Sequence, residues 1–338
     1  MTASSTVARS SLHWILGIAT LALLAIAARN VEWGRTWSAI AHANVGLIAV
    51  ATLANLASIV VKAIRWSLFL RAAGVPGVGL AIRATLAGAA LNNLLIANGG
   101  DAARVAGVAR RANVSSAGVL ATLAVDRLSD LATYVALFVV AALVLPLPPE
   151  VASWRLPAVV VLIAGVLLGG LVIWWSASHP PESRDLTTVA EASLLSRGRD
   201  YWRRLVATSR SISTPPRIAA ALALALLGWA GQWATFHYAA HAASLAITPA
   251  TSLLALLVVN ASFLVRLTPG NVGVFQLLYT LAATSAGLDR DAAVAVAFLI
   301  TAIQYIPVMI IGLLLAPSLV TRGTPATVAP HVPTSANS

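Results

Sequence analysis

Apolar stretches of about twenty residues, separated by short polar links, recur along most of the chain, and a run of that length spans a hydrocarbon core about 30 Å thick as a helix. Six of them read as full crossings: Leu12–Ala28, Val45–Val61, Ala117–Leu145, Leu156–Trp175, Ile218–His241 and Ala292–Ala316. The first also resembles a signal peptide, with Ala25-Ile26-Ala27 as a small-residue cleavage motif. Because further spans follow, it is expected to be retained.

Two other apolar stretches are interrupted. Leu80–Ala97 closes on Gly99-Gly100, and Ser252–Leu288 is broken by Arg266-Leu-Thr-Pro269-Gly270-Asn-Val-Gly273. Such breaks free backbone amides and carbonyls, and irregular backbone at membrane depth is tolerated only against protein or water. Each stretch is therefore expected to be a re-entrant or broken hairpin. Displacing the sequence by 173 residues sets Asn98-Gly99-Gly100 over Asn271-Val272-Gly273, so that each half reads as a broken hairpin, a short link and a long span. With one hairpin on the cytoplasmic side and the other outside, the halves would be inverted repeats meeting near the bilayer midplane, where many transporters bind substrate.

The fold class expected is an all-α polytopic membrane protein with about six full transmembrane helices and two re-entrant or broken hairpins. Residues 1–11 are read as a cytoplasmic N-terminus, 12–316 as the transmembrane domain and 317–338 as a disordered tail. Ser176–Arg217 is the one long polar segment, and its seven arginines against four acids place it in the cytoplasm. There, Leu194, Leu195, Tyr201 and Trp202 alternate with arginines, as suits a helix lying on an anionic lipid surface.

Composition excludes an ordinary soluble domain, because 59% of residues are hydrophobic, only 10% are charged and the mean hydropathy is +0.86. The net charge of +11 then speaks of topology and not of nucleic acid. Without cysteine, disulfide and thiolate chemistry are excluded. His237 and His241 are the one close histidine pair, with no acid near them in sequence, so no metal or cofactor is expected. The sequence also lacks a nucleotide-binding loop of the Gly-x-x-x-x-Gly-Lys-Ser/Thr kind, which makes ATP drive by this chain unexpected.

The chemistry concentrates between Leu91 and Asp130. Asn92, Asn93 and Asn98 interrupt an apolar run that ends on Gly99-Gly100-Asp101, and Arg104 follows one turn later. If the next helix starts near Ser116, Asp126 lies about 15 Å along it, close to the middle of the hydrocarbon core. Arg127 stands three residues before Asp130 and can reach it on the helix surface. A purely structural role would have Arg127 neutralised by one aspartate, leaving a spare carboxylate whose partner is Arg104, another helix or a ligand. Lys62 and Arg65, at the end of the second span, read either as topogenic charge or as headgroup contacts.

These residues resemble the integral-membrane, flippase-like domain shared by lysylphosphatidylglycerol synthases and related proteins. The matches are Arg65-Trp66, Asn92, Gly99-Gly100-Asp101-Ala-Ala-Arg104, Asp126-Arg127-Leu-Ser-Asp130 and Thr268-Pro269-Gly270-Asn-Val-Gly273, in the family's order. Departures include Ala97 or Asn98 where a proline is expected, and Asp101 and Asp126 in place of glutamate. Gln276 stands in place of a glutamate, and an arginine is missing from the last span near Thr301. The resemblance implies movement of lipids between leaflets or a part in glycolipid and hopanoid pathways, without the synthases' separate aminoacyl-transfer domain.

The expected function is an integral membrane lipid translocase that moves a polar-headgroup or isoprenoid-linked lipid. Arg104, Arg127 and Arg266 would meet the headgroup, since arginine's planar fork suits phosphate. Asp101, Asp126 and Asp130 would hold those arginines or exchange a proton. Arg65, Asn92, Asn98, Gly99 and Gly100 complete the first half of the site, and Pro269, Gly270, Gly273 and Gln276 form the second. The alternatives are an intramembrane transferase, with one of the aspartates as general base, and a non-catalytic membrane partner in envelope synthesis. Expected partners are membrane lipids, a second copy of the chain and enzymes of envelope or lipid synthesis, in a bacterial inner membrane.

Overall fold

The computed structural model describes residues 32–75, 77–94, 99–144, 211–261 and 273–320, with residues 208, 209 and 271 and parts of 156–171. The expected first span, most of the span at Leu156–Trp175 and most of the basic Ser176–Arg217 segment lie outside these residues.

The described elements are all helical: α1 (Trp33–Ala41), α2 (Val45–Ala72), α3 (Val78–Leu94), α4 (Gly99–Ala112), α5 (Ser116–Val144), α6 (Pro215–Ala242), α7 (Pro249–Ala261), α8 (Val274–Ser285), α9 (Arg290–Leu315) and α10 (Pro317–Val320). Four of them, α2, α5, α6 and α9, are long and apolar enough to cross a membrane. Their starts follow familiar chemistry. The Asn44 and Asp289 side chains accept backbone N–H groups at the heads of α2 and α9, and Pro215-Pro216 opens α6, where no intrahelical N–H is needed.

Within the interrupted stretches the described helices are shorter. At 1.5 Å per residue, α4, α7 and α8 as described reach only about 18–21 Å, less than a core of about 30 Å. The pairs α3–α4 and α7–α8 pack as helical hairpins. They open at opposite ends of the bundle. Val75, Ala81, Val108 and Ala109 pack with Leu319 just beyond the C-terminal end of α9, whereas α8 runs through a four-residue link into that helix's N-terminal end.

The repeat extends further than the sequence echo. Helices α2 and α6 are each 28 residues long, and each leads into a hairpin followed by a long span. They pack antiparallel. The Asn44 N–H donates to the Ala242 carbonyl at 2.8 Å, Gly231 lets α6 approach Ala54 and Ser58, and Phe69 packs with Ile212 and Ala221 at the far end. Arg71, Arg110, Arg111 and Arg217 gather at the end where the first hairpin opens; Glu32, Asp289 and Asp291 lie at the other, with Arg35 and Arg290.

Of the tail expected to be disordered, the first four residues are described, and they are ordered. Pro317–Val320 forms a short helix, Leu319 fits against Gly107, and Arg111 donates to the Ser318 carbonyl at 2.8 Å. This latch is held by burial of one leucine. Leu319→Ala is expected to cost about 2 kcal/mol, at the low end for a buried leucine, and to lower the thermal unfolding midpoint of the detergent-solubilised protein by a few degrees.

Candidate functional site

The charges of the first half form a lattice across α2, α4 and α5. Arg65, 1% exposed, donates from Nε to Asp126 Oδ1 at 2.8 Å, from Nη2 to Asp126 Oδ2 at 3.3 Å and from Nη1 to Asp130 Oδ1 at 2.7 Å. The four-residue spacing of Asp126 and Asp130 puts both carboxylates on one face of α5, where a single guanidinium bridges them. This overturns two expectations. Arg65 is neither a topogenic charge nor a headgroup contact, and Asp130 takes its arginine from α2, not from Arg127.

Arg127 instead reaches across to α4, donating from Nη2 to both oxygens of Asp101 at 2.9 and 2.8 Å. It does join two helices, through an aspartate other than its neighbour. Arg104 also approaches Asp101, at 3.5 Å, and its guanidinium lies 4.0 Å from the centre of the Trp66 ring. Trp66 is fixed by its indole N–H, which donates to Thr122 Oγ1 at 3.0 Å. Arg104 is buried among these groups, with no hydrogen bond at Nε. It therefore supports the site from behind.

The hairpin tips are built from amides and glycines. The Gly100 N–H donates to Asn92 Oδ1 at 2.8 Å, and Asn92 Nδ2 donates to Asp101 at 3.4 Å. In the second half the Gly273 N–H donates to Gln276 Oε1 at 2.5 Å, and Gln276 Nε2 donates to Thr301 Oγ1 at 2.9 Å. Gly100 and Gly273 are the glycines that the 173-residue echo superposes, and in both a carboxamide oxygen satisfies the N–H at the head of a helix. Gln276 and Thr301, the two positions where charges are missing, thus join α8 to α9 by a neutral hydrogen bond. Gln276 is a cap and a tie between helices, not a cavity group.

Between the tips lies a cavity of about 530 Å³ lined by all eight helices from α2 to α9. Of the residues singled out in the sequence, Asn92, Asp101, Arg127 and Asp130 line it; Arg65, Gly100, Arg104 and Asp126 stand behind, and Gly99 heads α4. Asn98, Arg266, Pro269 and Gly270 lie outside the described residues. Arg127, with 49% of its side chain exposed, presents its guanidinium to the cavity.

Lys62, which the sequence leaves open between topogenic charge and headgroup contact, lines the cavity, and so do the carboxamides Asn55, Gln232, Asn260 and Gln304, which sequence reasoning missed. Lys62 makes no ion pair among the described residues and has the Trp229 ring at 5.9 Å. Lys62, Arg65, Arg104 and Arg127 face only Asp101, Asp126 and Asp130, so among the described residues the cluster carries one positive charge in excess. Lys62 lies ten residues from the end of α2, about 15 Å into the bundle, where an uncompensated charge is costly. The arrangement can hold an anion.

His237 and His241 do not line the cavity. His237 hydrogen-bonds Ser252 Oγ at 3.0 Å and stacks on Trp233. Among the described residues no three His, Asp or Glu side chains group as a metal site.

The family described as Lysylphosphatidylglycerol synthase TM region matches residues 14–312. No curated protein matches the chain.

Proposed function

Because the chain belongs to the lysylphosphatidylglycerol synthase TM region family, membrane proteins of lipid synthesis or translocation, we propose that it moves an amphiphile with a net anionic headgroup between leaflets. The observation that carries this reading is the cavity: at mid-depth, bounded by two hairpins that open at opposite ends, and lined on one side by a lysine that makes no ion pair among the described residues. A phosphodiester between Lys62 and Arg127 would supply the missing negative charge, while the lipid tails remain among apolar helices. The two hairpins offer the headgroup a route to either end. The Arg104 and Arg65 groups hold the walls and do not enter the cavity.

The transferase alternative needs a free general base. Asp101, Asp126 and Asp130 each accept hydrogen bonds from arginine, an arrangement that favours the translocase reading.

The test is reconstitution in proteoliposomes with a fluorescent phosphatidylglycerol and a membrane-impermeant quencher. The protein is expected to accelerate movement of this lipid, and Lys62→Met to reduce the rate about tenfold or more while leaving the thermal unfolding midpoint near that of the parent. A lysylated phosphatidylglycerol, whose net charge is positive, is expected to move slowly, since it would double the site's uncompensated charge. An unchanged rate in Lys62→Met, or equal rates for the two lipids, would sink the assignment of the cavity charge.

A further inference from the structure

An anion alone does not explain the rest of the cavity wall. Six carboxamides line it: Asn55, Asn92, Asn93, Gln232, Asn260 and Gln304. Some hold one another. Gln304 Nε2 donates to Gln232 Oε1 at 3.1 Å, and Gln232 Nε2 donates to Asn55 Oδ1 and Ser58 Oγ, both at 3.2 Å. This chain fixes how the amides face the cavity without exhausting them. The Asn93 side chain makes no hydrogen bond among the described residues, and the side-chain oxygens of Asn260 and Gln304 accept none there.

A carboxamide both donates and accepts without charge, as a hydroxyl group does. Facing the cavity and half-buried, these groups are free to pair with the hydroxyl groups of a ligand in place of water. The cavity wall also includes the packed rings of Tyr134, Trp229, Phe236 and Phe275, which give it apolar surface beside the amides. Asn55, Ile59 and Lys62 line the cavity from one face of α2, so the carboxamide chain that Asn55 anchors through Gln232 begins two turns from the cation, about 10 Å along the axis. That is the reach of a hexose joined to a phosphodiester.

We infer that the cavity recognises a lipid-linked glycosyl phosphate: one phosphodiester charge at Lys62 and Arg127, and neutral sugar hydroxyls at the carboxamides. This inference rests on the translocase reading for its lipid, and it adds the headgroup class. A single phosphodiester cancels the one excess positive charge, whereas a diphosphate or a second anionic group would overshoot it.

The test is binding to the full-length protein in detergent, read by native mass spectrometry, so that it does not depend on transport. Three probes with the same tail are compared: a glucosyl phosphate lipid, the corresponding lipid methyl phosphodiester and a neutral glucosyl lipid. The glucosyl phosphate lipid is expected to bind about tenfold or more tightly than either of the others. Asn93→Ala and Asn260→Ala are expected to weaken that lipid severalfold while leaving the methyl phosphodiester unchanged; Lys62→Met is expected to weaken both.

Equal binding of the glucosyl and methyl phosphodiesters by the parent protein overturns the sugar assignment, and it does so whether or not the variants fold. Displacement of the bound lipid by free glucose 1-phosphate at comparable concentration would assign the cavity to a soluble sugar phosphate and overturn the lipid part. Phosphatidylglycerol movement in the proteoliposomes decides the translocase reading separately.

Discussion

Arg65→Ala is expected to abolish accumulation of folded protein. The substitution leaves Asp126 and Asp130 facing each other's charge with their guanidinium gone, at a depth where water does not replace it. Removing one partner of a buried ion pair costs about 3–5 kcal/mol, comparable to much of a domain's stability. Arg65→Lys is expected to fail nearly as badly, because one ammonium cannot serve three acceptor positions on two carboxylates as the planar fork does. Removing all three charges together, with Arg65→Met, Asp126→Leu and Asp130→Leu, is expected to restore much of the lost stability, since an apolar replacement leaves no orphaned ion. Fluorescence-detected gel filtration and thermal unfolding in detergent check all three. A folded Arg65→Ala protein melting within a degree or two of the parent would mean that the triad contributes little.

Gly100→Ala is expected to be almost as damaging, by a steric route. A methyl group there would collide with the Gly88 carbonyl oxygen and stand 2.7 Å from the Asn92 backbone nitrogen and Oδ1. The obstacles are mostly backbone, so they cannot swing aside as a flexible side chain would. The tip of the first hairpin must open, which displaces both the Asn92 cap and Asp101, the partner of Arg127. Loss of about 3 kcal/mol or more is expected, beyond ordinary overpacking, together with loss of lipid movement in whatever protein folds. Gly118, with nothing within 4 Å of an added methyl, provides the control: Gly118→Ala should be silent or slightly stabilising.

Much of the frame was readable because it is written locally. Apolar run length marks the spans, the glycines near positions 74, 100 and 273 mark the breaks, and the 173-residue echo anticipates two hairpins in corresponding places. The partners of the charges were not readable. Arg65 and Asp126 are 61 residues apart, and only the packing of α2 on α5 decides that this pairing prevails over the nearby Arg127–Asp130 one. Lys62 carries no mark of its own, since a lysine ending a span is what the positive-inside rule expects. The carboxamides were hidden for a different reason: single Asn or Gln residues in alanine-rich helices change hydropathy little, and their meaning comes from converging across four separate helices. Pro317–Val320 was misjudged because four residues hold no periodic pattern, while one leucine in a glycine notch is enough to dock them.

The Arg65 triad also bears on how the chain is made. When α2 leaves the ribosome its arginine has no counter-ion, because Asp126 and Asp130 follow 61 and 65 residues later. At about 5–20 residues per second those acids take several seconds to arrive. An arginine at the centre of a spanning helix costs about 2.5–3.5 kcal/mol on the insertion scale, and Arg65, seven residues from the C-terminal end of α2, costs less. The early helices are therefore expected to gain from staying within reach of water until α5 has been synthesised. Integration of the first half is expected to be cooperative and delayed instead of helix by helix.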